Sequence, residues 1–528
     1  MGKCEIMKII KELKMKNFKR FKNSKVKFNR SLNILIGDNE SGKSSILHAI
    51  DIIISGSRTK VEKFGLKNLF NVEVIESFNR GEKKYNELPE LCVELYLNEQ
   101  NNYQLNGENN SEGIITDGMR LMCKPNDDYS DEIKEIISQE DNCFPFEYYK
   151  VIFQTFSGRA YTGYMKYLKK IFIDNSLINN KYATREYIKG VYNKHVTVRE
   201  KARYANEYRK TKSNYVDEIF DTVNQKLDNY SFDIKTDNYS NLINDLSIKE
   251  GNISIANMGQ GRKCFIKTEF ALKNSTPEND VDILLIEEPE NHLSHINMYK
   301  LIKRIQEVHS KQMFITTHSN MISTRLDLRK ALMLNSNSEK SIGLNDISKD
   351  TAKFFMKSPD TNVLQYILSK KVILVEGDAE YILMEEFFKK TSRNDLYESE
   401  VHVISVGGTS FKRYLDIGQK LDIKTAVIRD NDRDYQKNYV DLYKDYLDDR
   451  IRVFSDQDND NYTFELNVYK SNKKICDELF EEGRITLSVI EYMLQNKTEA
   501  AFELLDKREG NLTTPEYIED AIKWITKD

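Results

Sequence analysis

The sequence predicts an α/β protein with two parallel-sheet units in series, the first interrupted by a helical insertion. Three observations predict it. Short apolar runs end abruptly in glycine or acidic residues: Leu32 to Ile36 before Gly37, Asp282 to Ile286 before Glu287-Glu288, Lys371 to Val375 before Glu376-Gly377, and Thr425 to Ile428 before Arg429-Asp430-Asn431-Asp432. Runs of this length without polar alternation are strands buried on both faces. Apolar residues then recur at helical spacing from Lys43 to Ile54 and from Asp378 to Phe388. Finally, 528 residues exceed a single ordinary core, so two to four domains are expected.

Composition narrows the class. Hydrophobic residues make up 39% and charged residues 31%, as in a soluble globular protein, and no apolar run is long enough to cross a bilayer. The start, Met1-Gly2-Lys3-Cys4-Glu5-Ile6-Met7, has no continuous apolar stretch, so no signal peptide is expected. Cys4, Cys92, Cys123, Cys143, Cys264 and Cys476 show no CxxC spacing. That argues against zinc and disulfides and for a reducing cytoplasm. A net charge of −4 confines any nucleic-acid site to a local patch.

Taken in order, Met7 to Phe28 alternates apolar and polar residues like a hairpin, and Leu32 to Ile36 feeds into Gly37-Asp38-Asn39-Glu40-Ser41-Gly42-Lys43-Ser44. A strand, a glycine-rich loop and a helix make a phosphate-binding loop. Gly37, Asn39, Gly42 and Ser45 belong to the cradle, in which the glycines let backbone N–H groups turn toward the phosphates. Lys43 reaches the β/γ-oxygens and Ser44 ligates Mg²⁺. Downstream, Glu287 is assigned to the metal and Glu288 to orienting the attacking water. His318, after the strand-like Gln312 to Thr317, is placed to sense the γ-phosphate. Asn257-Met258-Gly259-Gln260-Gly261-Arg262 is a glycine turn ahead of a helix, with Gly259 and Gly261 able to free N–H groups for a phosphate.

This order of loop, glycine turn, strand-Glu-Glu and strand-His resembles the ABC-type ATPases. Asn17-Phe18-Lys19-Arg20-Phe21 ahead of the loop is most similar to their RecF/SMC branch. The sequence lacks Leu-Ser-Gly-Gly-Gln and has Glu287-Glu288 where Asp-Glu is usual, which leaves hydrolysis open while nucleotide binding is expected. Gln154 is a candidate metal-sensing glutamine. The resemblance implies nucleotide sandwiched between protomers, hence a homodimer or larger even oligomer such as a tetramer.

Residues Leu66 to Asn142 read as an antiparallel sheet with long loops, and Tyr161 to Ile248 as a mostly helical insertion. Within it, Arg185 to Lys212 interleaves Lys189, Lys194, Arg199, Lys201, Arg203, Arg209 and Lys210 with Tyr187, Tyr192, Tyr204 and Tyr208. Such a stretch suits phosphate contact with base stacking. The preferred reading is a solvated helical face in a dimerisation arm. The domain reading is 1–160 for the first part of the ATPase, 161–250 for the insertion, 251–345 for the second part and 346–528 for the C-terminal unit, past a polar boundary at Ser336 to Asp360.

In the C-terminal unit, strands ending at Glu376-Gly377, Gly407-Gly408 and Asp430-Asn431-Asp432 converge on one edge of a parallel sheet, where α/β proteins build sites. Glu380 lies one helical turn beyond Glu376. Clustered carboxylates need cations, and hard oxygen donors select Mg²⁺ or Mn²⁺. The set resembles the TOPRIM domain of topoisomerases, primases and the OLD (overcoming lysogenisation defect) nucleases, over about Lys371 to Asp434. That resemblance adds Glu465 as a further acid and Lys497 as a late lysine. It implies a nucleotide-regulated, metal-dependent DNA endonuclease. The chain is most similar to the nuclease subunit of Gabija-type antiphage systems, with Pro515-Glu516-Tyr517-Ile518 fitting that group. Retron-associated OLD nucleases are close. A double-stranded DNA substrate and a helicase-like partner are implied. The alternatives are a RecF/SMC-like DNA-binding ATPase with a non-cleaving TOPRIM module, and a nuclease acting on RNA.

Overall fold

The computed structural model describes residues 7–139, 144–165, 167–174, 188, 192, 196–226, 232, 242–273, 281–308, 311–336, 338–358, 362–408, 410–481 and 487–527. Two compact units emerge. One is built on residues up to Leu35 and from Gly42 to Thr317, the other on Ile36–Ser41 and on the chain from His318 onward.

The first unit begins with β1 (Ile10–Phe18) and β2 (Phe21–Lys27), an antiparallel pair in which Phe18 faces Phe21. Next come β3 (Leu32–Gly37) and α1 (Lys43–Ser55). Gly42 and Gly56 flank α1 in the left-handed region, and Ile46, Leu47, Ile50 and Ile53 are fully buried on it. Then follow β4 (Leu91–Leu97), β5 (Thr116–Pro125) and β6 (Tyr149–Thr155), which extend the first pair into an antiparallel sheet ordered β2-β1-β4-β5-β6. A second layer follows with β7 (Lys170–Asp174), the long α2 (Val198–Asn224), α3 (Gln260–Lys273), β8 (Ile283–Glu287), α4 (His295–Glu307) and β9 (Gln312–Thr316). Strands β3, β9, β8 and β7 lie side by side in that order, and every pairing is parallel. All residues of β8 and β9 are buried, as continuous apolar runs require.

Two expectations are corrected. Leu66 to Arg80 is helical, at Leu66–Leu69 and Val72–Arg80, instead of strand-like. Asn71 caps the second helix by accepting from the Val74 N–H, so the local capping bond sets the structure there. Lys170–Asp174 lies inside the stretch read as helical, yet forms β7. Its Ile171-Phe172-Ile173 centre suits a sheet position beside β8, and the polar residues around it hid the run. Of the basic–aromatic stretch, Arg185, Tyr187, Lys189 and Lys194 lie outside the described residues, as do Cys4, Cys143 and Asp360. Arg199 to Lys212 falls on α2, which starts with a Thr197–Glu200 capping box. Among the described residues, Cys92, Cys123, Cys264 and Cys476 form no disulfide. Among the described residues, no helix is long and apolar enough to cross a membrane.

In the second unit the elements are β10 (Lys371–Val375), α5 (Asp378–Ser392), β11 (Val401–Ser405), α6 (Phe411–Leu421), β12 (Lys424–Ile428), β13 (Ile451–Phe454), α7 (Phe464–Ser471), α8 (Lys497–Arg508) and α9 (Glu516–Thr526). The sheet order is β11-β10-β12-β13, wholly parallel. Strand, helix and strand alternate, so the crossover helices cover the sheet. One core joins Ile373, Val375, Ala426 and Ile428 of the sheet to Leu383 and Phe387 of α5, Leu504 of α8, and Ile518 and Ile522 of α9.

Candidate functional site

Two groups of polar residues gather at strand ends. The first surrounds the phosphate-binding loop. Ser41 N–H donates to the Asp38 carbonyl at 3.2 Å, and Ile46 N–H to the Gly42 carbonyl at 3.1 Å, which joins the loop to α1. Gly42 has φ +94°, and a Cβ there would meet Phe21 at 2.5 Å, so only glycine fits. A Cβ on Gly37 would meet the Leu334 carbonyl at 2.3 Å. Lys43 is buried and Asn39 exposed, while Ser44 and Ser45 are half-buried.

Across from α1, Glu287 ends β8 and is buried. The Ser44 hydroxyl donates to it, so the two expected magnesium ligands of the nucleotide already touch. Burial raises the Glu287 carboxyl above its usual range, opposed by that bond and by Lys19, and reinforced by Asp174 and Glu288. Glu288 has φ +44° and accepts from Asn291 Nδ2 at 2.7 Å. Its N–H donates to the Thr316 carbonyl at 3.1 Å, which ties the acid pair to the end of β9. His318 follows shortly after β9 and is exposed. Gly259 and Gly261 differ: a Cβ on Gly259 meets nothing, whereas one on Gly261 would meet the His292 carbonyl at 1.8 Å. Gln154 Oε1 accepts from Arg120 at 2.6 Å and its Nε2 donates to the Gly158 carbonyl at 2.6 Å, so both ends of its amide are engaged within the antiparallel sheet.

Sequence reasoning missed the charges behind this site. Lys19 Nζ lies 2.8 Å from His48 Nδ1. Burial, with Lys19 nearby, pushes His48 down to about 4. Asp51 is buried and pairs with Lys60 and Lys170, whose ammonium groups burial lowers to about 8 and about 7. The Asn17-Phe18-Lys19-Arg20-Phe21 segment was noticed, but no spacing linked it to His48 or Glu287.

The second group sits at the carboxyl ends of β10, β12 and the chain beyond β13. Glu376 follows β10, and its carbonyl accepts from Gly408 N–H at 2.9 Å. Gly407 and Gly408 hold φ of +66° and +111°, which lets that turn close over β10. Glu380 lies in the first turn of α5, where the helix N-terminus favours an anion. Burial nevertheless raises it to about 7, helped by Glu465 and Glu376. Asp430 is pushed well above the usual range by burial and by Glu380, Glu376 and Glu465. Glu376 is raised by burial and then by Asp432. Its Oε2 is buried without a hydrogen-bond partner.

Glu465, buried at the start of α7, pairs with Lys497 Nζ at 3.0 Å. Burial opposes the Lys497 charge, but Glu465, Asp430 and Glu380 hold its pKa above the usual lysine value. The structure therefore brings Glu376, Glu380, Asp430, Glu465 and Lys497 into one electrostatic neighbourhood. Asp432 stands at its edge, with φ +49°, half-exposed, and bonded to Arg429 at 3.3 Å. Among the described residues, no three His, Cys, Asp or Glu side chains are grouped tightly enough to hold a metal ion as they stand. The donor set still fits a hard cation: it is all carboxylate, mutually repelling, and has one orphaned oxygen at Glu376.

Two residues outside the candidate list join this group. Buried Asn431, between the two aspartates, donates through Nδ2 to the carbonyls of Asp456 and Asp458, both at 2.9 Å. Tyr517 of α9 is buried, and Asp430, Glu380, Asp456 and Glu465 add to burial in raising its phenol. The Pro515-Glu516-Tyr517-Ile518 segment marked that position without giving it a role.

Comparison with known proteins follows the same division. Residues 7–246 match the family profile described as AAA ATPase domain. Residues 367–432 match the one described as Overcoming lysogenization defect protein-like, TOPRIM domain. The Old nuclease of Escherichia phage P2 is 25% identical over 175 residues, 31% of this chain and 30% of that protein, so the chain spans less than a third of that relative's length. The C-terminal region of the Xanthomonas campestris pv. campestris OLD protein is 20% identical with a TM-score of 0.24, covering 30% of this chain and 94% of that one. The SMC head domain from Thermotoga maritima is 14% identical with a TM-score of 0.30, covering 63% of this chain and 97% of that one.

Proposed function

We propose that this chain, an ATPase domain followed by an OLD-like TOPRIM domain, is a metal-dependent DNA endonuclease regulated by nucleotide. The observation that carries the reading is the gathering of Glu376, Glu380, Asp430 and Glu465 around the Lys497 ammonium at the strand ends of the second unit. Few structural roles call for buried acids whose neighbours raise their pKa values, whereas metal-assisted hydrolysis does.

Glu376, Glu380, Asp430, Asp432 and Glu465 would hold Mg²⁺ or Mn²⁺, which supplies Lewis acidity and an acidified water at the scissile phosphate. Lys497 places positive charge where a pentavalent phosphate gathers negative charge. Glu380, raised to about 7 without the ion, would give up its proton to become a ligand when the cation binds. In the ATPase domain, Gly37, Asn39, Gly42, Lys43 and Ser45 would cradle the phosphates, with Gly259 and Gly261 contacting nucleotide on a second protomer. Ser44 and Glu287 would share its Mg²⁺, Glu288 would orient water and His318 would read the γ-phosphate.

The proposed biological setting is a Gabija-type antiphage system in a cytoplasm. Double-stranded DNA would be the substrate, the chain a homodimer or tetramer, and a helicase-like subunit the partner. The decisive experiment is plasmid nicking and linearisation by wild type and Asp430→Ala, in Mg²⁺ and in Mn²⁺, with and without ATP. Cleavage that the variant loses and ATP alters supports the proposal. Equal cleavage by both proteins overturns the site. Cleavage of tRNA in place of DNA would move the substrate to RNA.

A further inference from the structure

The loop that carries Asp430 and Asp432 runs directly into a solvent-facing turn rich in aromatic residues. After Asp432 the chain reads Arg433-Asp434-Tyr435-Gln436-Lys437-Asn438-Tyr439, and Gln436–Asp441 forms a π-helical turn. Wide turns of this kind are uncommon and concentrate at functional sites. Tyr435 and Tyr439 stack with ring centroids 4.6 Å apart and planes 19° from parallel. Beside the same loop, the Arg433 guanidinium lies 4.1 Å above the centre of the Tyr462 ring. Neither pair belongs to the core: Arg433 is exposed, and Tyr435, Tyr439 and Tyr462 are only half-buried.

Both pairs are fixed to the acid loop. Asp432 N–H donates to the Tyr462 carbonyl at 3.3 Å, and Arg433 N–H to Asn431 Oδ1 at 2.9 Å. Asn438 Nδ2 donates to the Asn431 carbonyl at 3.0 Å, and Tyr435 N–H to Asn459 Oδ1 at 3.0 Å. The aromatic faces are thus held in register with the aspartates.

A pair that merely braced the turn would bury its rings. These four side chains, with the exposed Lys437 beside them, combine flat faces and positive charge next to the acid loop. That is the chemistry that holds single-stranded nucleic acid: stacking for the bases, positive charge for the backbone.

We propose that Arg433, Tyr435, Tyr439 and Tyr462 form a base-stacking platform that grips unpaired DNA bases beside the phosphate presented to the carboxylates. The proposal takes its substrate class from the nuclease reading. It adds that the substrate is engaged with bases unstacked, so gapped, frayed or unwound DNA binds better than an intact duplex.

The test uses the full chain in Ca²⁺ with a single-stranded DNA oligonucleotide containing 2-aminopurine, whose fluorescence falls when the base stacks. Wild type is expected to quench it. Tyr439→Leu is expected to weaken binding about tenfold and abolish the quench, since each stacked base contributes on that scale. Tyr435→Phe, which keeps the ring, should retain both. Binding without quenching, or Tyr439→Leu binding like wild type, overturns the platform. Should Tyr439→Leu lose its folded circular-dichroism signal, Arg433→Gln and Tyr435→Phe decide: wild-type affinity in Arg433→Gln, or loss of the quench in Tyr435→Phe, overturns it. Tighter binding of the matching RNA strand overturns the DNA assignment. Quenching by a protein that in Mg²⁺ or Mn²⁺ cleaves neither plasmid nor gapped or single-stranded DNA would sink the nuclease reading and leave the platform standing.

Discussion

At the scale of single residues, Glu380 ties the second site to pH. Its folded-state pKa is raised from the usual value to about 7 by burial and by neighbouring acids. A raised carboxyl binds its proton more tightly folded than unfolded. In the metal-free protein its contribution to stability is therefore present below the unfolded value and lost as pH rises toward about 7. Metal binding must expel that proton. Calorimetric titration with Mg²⁺ should show affinity rising up to about tenfold per pH unit below pH 7 and levelling above it, with the slope flattened in Glu380→Gln. A slope unchanged in that variant would remove Glu380 from the ligand set. Lys43→Ala should lower the affinity for a fluorescent ATP analogue at least about tenfold, because the ammonium and its burial are both lost. Glu376, Asp430 and Lys43 were legible because each sits at a motif position behind an apolar run. Lys19, His48 and Tyr517 were not, because their partners are remote in sequence and no local pattern announces a long-range contact.

At the scale of elements, the Asn431 amide makes three of the bonds that hold the loop after β12. Asn431→Ala removes its bonds to Asp456, Asp458 and Arg433 from a buried position. A loss of about 2–3 kcal/mol in urea denaturation is expected; a loss under about 0.5 kcal/mol would show that the loop holds without it. Gly259, just before α3, and Gly261, in its first turn, should separate. Gly261→Ala drives a Cβ into the His292 carbonyl and should cost about 1–3 kcal/mol, whereas Gly259→Ala meets open space and should change stability little. Equal melting temperatures for the two variants would contradict that geometry. Strands were the most readable elements, since β3, β8, β10 and β12 are short, mostly apolar runs that end at glycine or acidic residues. β7 escaped because Lys170 and Asp174 flank three apolar residues within a charged, tyrosine-rich stretch. The helix at Val72–Arg80 escaped because it is short and buries only Phe78 fully.

At the scale of the whole molecule, nucleotide regulation predicts that ATP changes the plasmid cleavage rate of wild type but not of Lys43→Ala. An equal response in both would uncouple the two domains. The order of ATPase and TOPRIM domains was readable because each is announced by loops whose chemistry is local. The membership of β7 in the parallel sheet of the first unit was not, since sheet neighbours are chosen by packing across long stretches of chain. The helix α9 has a further consequence. Its Ile518, Ala521 and Ile522 seal the core beneath β10 and β12, and Tyr517 stands over the acids. A ribosome that has reached residue 465 has already made Glu376, Glu380, Asp430, Asp432 and Glu465. The lysine that balances them comes at 497, and the helix that closes the core ends only at 526. On the proposed nuclease reading, a chain stopped before residue 497 would carry the acids without the lysine and without the helix that closes their core.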